Sequence, residues 1–148
     1  MRFTTKTEYG LVCLIYMAKQ QAAGQPVTVK EIVKGEGFSL TFTEKILQKL
    51  RMAGIIQSIS GNHGGHMLAK KPSEISLRQI VEALEGSTFD VFCEPKVRSD
   101  IVCNHLHLCG LKPIWHQTKD LLDQFFDSIT LERIVDQNFS LSSMGGKS

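Results

Sequence analysis

The chain has 148 residues, 42% of them hydrophobic and 22% charged, with a formal net charge of +2. That composition supports one packed domain, or a small domain with an oligomerisation extension, and excludes global disorder. The charge is divided unevenly: residues 1–71 hold ten Lys and Arg against four acids, and residues 72–148 hold seven against eleven, so one half is suited to a polyanion.

Thr5-Lys-Thr-Glu8 has the form of a capping box, in which Glu8 reaches back to the Thr5 amide. Tyr9, Val12, Cys13, Ile15, Tyr16 and Met17 follow at helical spacing, predicting a helix to about Gln21 that Ala-Gly-Gln-Pro (23–26) ends. A second box, Thr28-Val-Lys-Glu31, opens a short helix that stops near Gly35 and Gly37. Ser39 or Thr41 starts a third helix, with Ile46, Leu47, Leu50 and Met52 on one side and Gly54 as its stop. Lys45, Lys49 and Arg51 occupy the rest of its surface, where they suit phosphate contacts.

The period then changes. Ile55-Ile-Gln-Ser-Ile59 reads as a strand, Ser60 to Gly65 as a turn and His66-Met-Leu-Ala69 as a returning strand. Two helices, a cationic third and a glycine-tipped hairpin make the winged helix-turn-helix plan. Its third helix would lie in a DNA major groove and its wing tip at the backbone or minor groove. Ser76-Leu-Arg-Gln79 caps a further helix through Val81 and Leu84 to about Gly86.

The next stretch follows neither period. Cys93, Cys103 and Cys109 lie within 17 residues that also carry Pro95 and polar breakers. Clustered soft thiolates suit an iron–sulfur cluster, zinc or redox chemistry. The chain opens without the apolar run of a secretory leader and has no stretch of about 18 apolar residues. It is therefore expected in the cytoplasm, where grouped cysteines bind metal more often than they pair. Three thiolates leave a fourth ligand to a carboxylate, a histidine (His105, His107 or His116) or a small molecule. Cys13, on the apolar side of the first helix, reads as a small hydrophobe.

After Pro113, an apolar stripe runs through Ile114, Trp115, Thr118, Leu121, Leu122, Phe125, Phe126 and Ile129, with Asp120, Asp123 and Asp127 beside it. Such a helix either covers its own domain or pairs with a second copy, and a symmetric pair suits a palindromic site on double-stranded DNA. Thr130 to Asp136 forms a last short helix, and the Ser- and Gly-rich end is expected to be disordered. There is no phosphate-binding glycine loop after a strand and no nucleophile elbow, so no enzyme is expected.

Several segments together resemble the IscR/NsrR (Rrf-two) family of regulators. They are Met1-Arg-Phe-Thr-Thr-Lys-Thr-Glu-Tyr9, Phe38 to Arg51, Gly54-Ile-Ile-Gln-Ser58, the glycine-rich wing, Ile75 to Leu84, the three cysteines and Ile129 to Val135. The likeness covers about residues 1–138 and implies a dimeric winged-helix regulator whose long helix crosses its partner. It implies that Cys93, Cys103 and Cys109 hold a [2Fe–2S] or [4Fe–4S] cluster. By position, Thr41, Phe42 and Glu44 match residues that touch bases, and Glu8 matches a carboxylate ligand supplied from the opposite subunit.

The chain also departs from the pattern. Ser60 stands where family wings usually carry arginine, leaving Asn62 and His63 to replace its minor-groove contact. Nine residues separate Cys93 from Cys103, more than in the best-known members, and Lys112 replaces a histidine ligand of one branch.

The fold expected is mainly α with a small β-hairpin wing, a winged helix-turn-helix plus a long C-terminal dimerisation helix. Residues 1–86 form the DNA-binding domain, 87–112 the cluster loop, 113–138 the dimerisation and short C-terminal helices, and 139–148 a disordered tail. The function expected is a homodimeric repressor whose DNA affinity is set by an iron–sulfur cluster sensing redox state, nitric oxide or iron–sulfur status. A cluster-free regulator of the same fold, sensing by thiol oxidation or a partner protein, is the alternative. From another class, a zinc-stabilised protein-interaction module remains.

Overall fold

The computed structural model describes residues 4–91, Glu94 and residues 109–136. Helix α1 (Thr5–Gln21) starts one residue earlier than its sequence pattern predicts: Thr4 is the N-cap, and its hydroxyl accepts from the Lys6 amide at 3.2 Å. The predicted Thr5–Glu8 box does not form. Glu85, from α4 (Leu77–Glu85), takes hydrogen bonds from the hydroxyls of Thr4 and Thr7 instead. Burial raises the Glu85 pKa, but those two hydroxyls and the charge of Lys6 outweigh it and hold the carboxyl below its usual range. Among the described residues, the Glu8 side chain has no hydrogen-bond or ion-pair partner.

The second predicted box does form. Thr28 and Glu31 cap each other at the start of α2 (Val29–Glu36), which ends at Gly37 with φ 69°, a left-handed stop that glycine adopts without strain. Helix α3 (Leu40–Met52) follows Ser39 and buries Thr43, Ile46, Leu47 and Leu50. Met52, expected on that face, is 79% exposed, because two residues past Leu50 is more than half a turn around the helix.

Strands β1 (Ile56–Ile59) and β2 (Gly65–Leu68) pair antiparallel, Ile56 opposite Leu68 and Ile59 opposite Gly65. The hairpin is fastened to the segment before α2: Val27 and His66 exchange backbone hydrogen bonds of 2.9 and 2.7 Å. A Cβ on Gly65 would stand 2.6 Å from the Val27 carbonyl oxygen, so this close approach requires glycine.

Ser76 and Gln79 form the third predicted box and open α4, whose Ile80 and Leu84 enter the core beside Leu14, Met17, Ile32, Ile46, Leu47 and Leu50. Gly10 faces the Leu84 side chain with no room for a Cβ, which lets α1 and α4 approach closely. Helix α5 (Leu111–Asp127) begins two residues before Pro113; within the first turn, proline's missing N–H breaks no helical bond.

Only Asp123 and Phe126 of α5 are fully buried, while Leu111, Ile114, Trp115 and Leu121 are exposed. Helix α6 (Leu131–Val135) returns to the first core: Leu131 is completely buried there, and its amide bonds the Ile75 carbonyl at 2.8 Å. The core of the N-terminal unit is thus completed from beyond α5. Among the described residues, no helix is long and apolar enough to cross a membrane.

Candidate nucleic-acid interface and cysteine segment

Burial decides which side chains of α3 face outward. Thr43 is turned inward, its hydroxyl donating to the Ser39 carbonyl at 2.8 Å, which leaves Thr41, Glu44 and Lys45 exposed. Phe42 is half-buried: it meets Tyr9 edge-on at 5.3 Å, and Tyr9 stacks on Phe38 at 3.7 Å. Packing therefore fixes the direction of its ring edge. Leu40, not singled out from the sequence, is 43% exposed beside Thr41. Its place at the first position of the helix, ahead of the buried face, is the signal that could have shown it.

The other two cations of α3 have partners within the protein. Lys49 Nζ donates to the Leu84 carbonyl at 3.0 Å, tying α3 to the end of α4. Arg51 reaches Ser58 Oγ at 3.5 Å, and Ser58 Oγ lies 3.5 Å from His66 Nδ1, so a polar chain joins α3 to both wing strands. Burial first, and the Arg51 charge second, hold the His66 pKa below its ordinary value. Ser60, Asn62 and His63 are exposed at the wing tip, where Gly61 has φ 115°. Asn62 and His63 share a cleft with Gln25, Pro26, Thr28 and Glu31, which places the tip against the α1–α2 turn.

Of the three grouped cysteines, Cys109 is half-exposed just before α5, and Cys93 and Cys103 lie outside the described residues, as do His105 and His107. Glu94 is described, and its carboxylate stands 3.8 Å from Nδ1 of His116 on α5. Among the described residues, no three His, Cys, Asp or Glu side chains are grouped closely enough to hold a metal ion. Glu8 is exposed in the first turn of α1. Cys13 is fully buried, and burial together with the Glu36 charge pushes its thiol up to about 12, so it is no thiolate at neutral pH.

Residues 3–137 match the family model Rrf2, described as iron-dependent transcriptional regulator. The chain belongs to the Rrf2 family. This Rrf2 regulator is 32% identical over 135 residues to protein rrf2 of Nitratidesulfovibrio vulgaris, covering 91% of the chain and 87% of that protein. It is 29% identical over 145 residues to the HTH-type transcriptional regulator IscR of Escherichia coli, covering 98% and 86%.

Among solved structures, CymR, the global cysteine regulator of B. subtilis, superposes with a TM-score of 0.73 at 27% identity, covering 93% of this chain and 98% of that one. T. potens IscR superposes with a TM-score of 0.69 at 25% identity, covering 100% and 94%. The winged helix-turn-helix expected from the residues is thus the fold of an Rrf2 transcription regulator, and a DNA-free interaction module is left without support. The family model, IscR of Escherichia coli and CymR are named for regulation.

Proposed function

We propose that this protein binds a palindromic operator in double-stranded DNA as a homodimer and represses transcription, with its affinity set by an iron–sulfur cluster held by Cys93, Cys103 and Cys109. Residues 1–86 read DNA, 87–112 sense, and 113–138 pair the subunits and complete the core. The carrying observation is the half-exposed Cys109 at the head of a helix whose Leu111, Ile114, Trp115 and Leu121 are also exposed. A sulfur donor at the head of α5 and an apolar pairing face along it then belong to one element. The donor chemistry fits a cluster, because Cys109 is accessible whereas the remaining cysteine, Cys13, is buried and protonated.

Glu8 supplies the fourth ligand from the partner subunit. Its outward carboxylate supports this, since Thr4 and Glu85 carry out the capping work that the sequence assigns to it. When bound, the cluster supplies a centre responsive to redox state, nitric oxide or iron–sulfur supply. The chain's own part is to orient two recognition helices at one helical repeat of DNA. Protein purified without oxygen is expected to absorb in the visible and to contain iron and acid-labile sulfide. A colourless protein that still binds DNA favours the second reading.

That second reading is a cluster-free regulator sensing through thiol oxidation or a partner protein. It is supported by the likeness to CymR, by the wide Cys93–Cys103 spacing and by Lys112.

On DNA, Thr41, Phe42 and Glu44 read base edges while Lys45, Lys49 and Arg51 neutralise phosphates, with Ser60, Asn62 and His63 at the wing contact. Glu44→Ala is expected to relax preference at a single operator position by about 1–3 kcal/mol. Lys45→Ala is expected to weaken all sequences alike and to make the salt dependence shallower by about one unit of slope. Titrations over an operator library at several salt concentrations separate the two. Uniform weakening by Glu44→Ala removes it from base reading.

A further inference from the structure

Helix α5 meets the rest of the chain through buried Phe126 and through a polar network centred on one buried carboxylate, Asp123. Asp123 is 7% exposed and receives the hydroxyl of Thr88, itself 3% exposed, on one oxygen. On the other oxygen it receives Lys119 Nζ at 2.6 Å and Arg78 Nη2 at 3.4 Å. Arg78, on α4, also grips Asp127 at 2.9 Å and Glu82 at 2.9 Å, and Ser76 donates to Asp127 at 3.2 Å. Burial raises the Asp123 pKa, but its bonds to Lys119 and Thr88 and the charges of Lys119 and Arg78 outweigh it, so the group stays ionised. In this network Asp123 is buried while its charged partners Arg78, Lys119 and Asp127 remain partly exposed, and such a network is not needed merely to dock one helix on another. Well-packed apolar residues do this as well or better, whereas a network selects one arrangement.

Thr88 begins the segment that leads to Cys93. Three contacts join this segment to α5: Thr88 touches Asp123, Phe89 lies 6.3 Å from Trp115 between ring centres, and Glu94 reaches His116. On its other side, α4 is joined to the recognition helix by Lys49 and the Leu84 carbonyl, and to α1 by Glu85 with Thr4 and Thr7. Polar contacts therefore lead from the approach to Cys93, through Asp123, to Arg78 on α4, and the far end of the same helix holds Lys49 of α3 at the Leu84 carbonyl.

We infer that Asp123 is a positioning residue, joining Thr88 to Arg78 so that the state of the cysteine segment sets the placement of the recognition helix. The inference rests on the sensor role proposed above for that segment. A ligand shifts such an equilibrium only by its differential affinity for the two arrangements, and the Thr88–Asp123 bond is where the arrangements differ.

The test uses the full-length protein and the operator fragment that it selects from a random DNA library. DNA affinity is measured for protein reconstituted without oxygen with ferrous iron and sulfide, and for reduced cluster-free protein. The parent is expected to show a ratio between the two forms of about 5- to 150-fold, the usual range of coupling. Thr88→Val keeps shape and burial but loses the hydroxyl. Its ratio is expected to fall to near one, while its visible spectrum and the affinity of its tighter-binding form match the parent. Thr88→Ser restores the hydroxyl and with it the ratio. Asp123→Asn, which keeps an acceptor but loses the charge that holds Arg78 and Lys119, behaves as Thr88→Val does. A parental ratio in Thr88→Val overturns the inference and leaves the sensor reading standing. A parent whose affinity is the same in both forms overturns both.

Discussion

Leu131→Ala is expected to destabilise the protein by about 2–5 kcal/mol, the usual cost of emptying a leucine site in a core that cannot collapse around it. The residue sits in a helix of only five residues that follows the long α5, a place where truncation often does little. Here it is fully buried among Leu14, Ile75, Ile80 and Leu84, and its amide bonds Ile75. Pairing of Leu77 N with the Ile129 carbonyl at 2.8 Å holds the same crossing from the other side. Against a total of about 5–15 kcal/mol, the loss is a large fraction of the fold's stability. Urea unfolding at one fixed protein concentration measures it, since an associating protein's apparent stability varies with concentration. A change below about 1 kcal/mol refutes a shared core.

The second large effect is chemical. Cys109→Ala is expected to remove the bound iron and sulfide of protein purified without oxygen while leaving its far-ultraviolet circular dichroism unchanged. Cys109 is half-exposed at the head of α5 and outside the apolar core, so its sulfur is a donor without being a packing element. Cys13→Ala is the converse. It should keep the iron and lose stability, because that thiol is completely buried and raised to about 12. Full iron and sulfide content in Cys109→Ala excludes it as a ligand.

Local signals in the sequence located the elements well where both partners of an interaction are near in the chain. The boxes at Thr28–Glu31 and Ser76–Gln79 close within one turn, and both form. Thr5–Glu8 has the same spelling and fails, because Glu85, far along the chain, offers a carboxylate to the hydroxyls of Thr4 and Thr7. The α5 stripe was legible as apolar, but not which part of it is covered. Phe126 and Ile129 enter this chain's own packing, whereas Leu111, Ile114 and Leu121 stay exposed. Asp123 read as one of three acids beside that stripe, although its i, i+4 spacing to Lys119 was visible; the contribution of Arg78 and Thr88 was not. The exposed residues of α3 and the wing followed from pattern, whereas the internal partners of Lys49 and Arg51 depend on how α4 and β1 fold back.

The Glu85 contact also governs the order in which the molecule can be made. Helix α1 leaves the ribosome well before α4, yet its opening turn is tied by hydrogen bonds spanning 81 and 78 positions. Its glycine notch at Gly10 likewise waits for Leu84. Largely helical proteins fold fast when their contacts are local, and these are not. A nascent chain that stops short of residue 85 therefore carries an α1 with a frayed start. The setting of Glu8, fourth residue of that helix, becomes fixed only after α4 has docked.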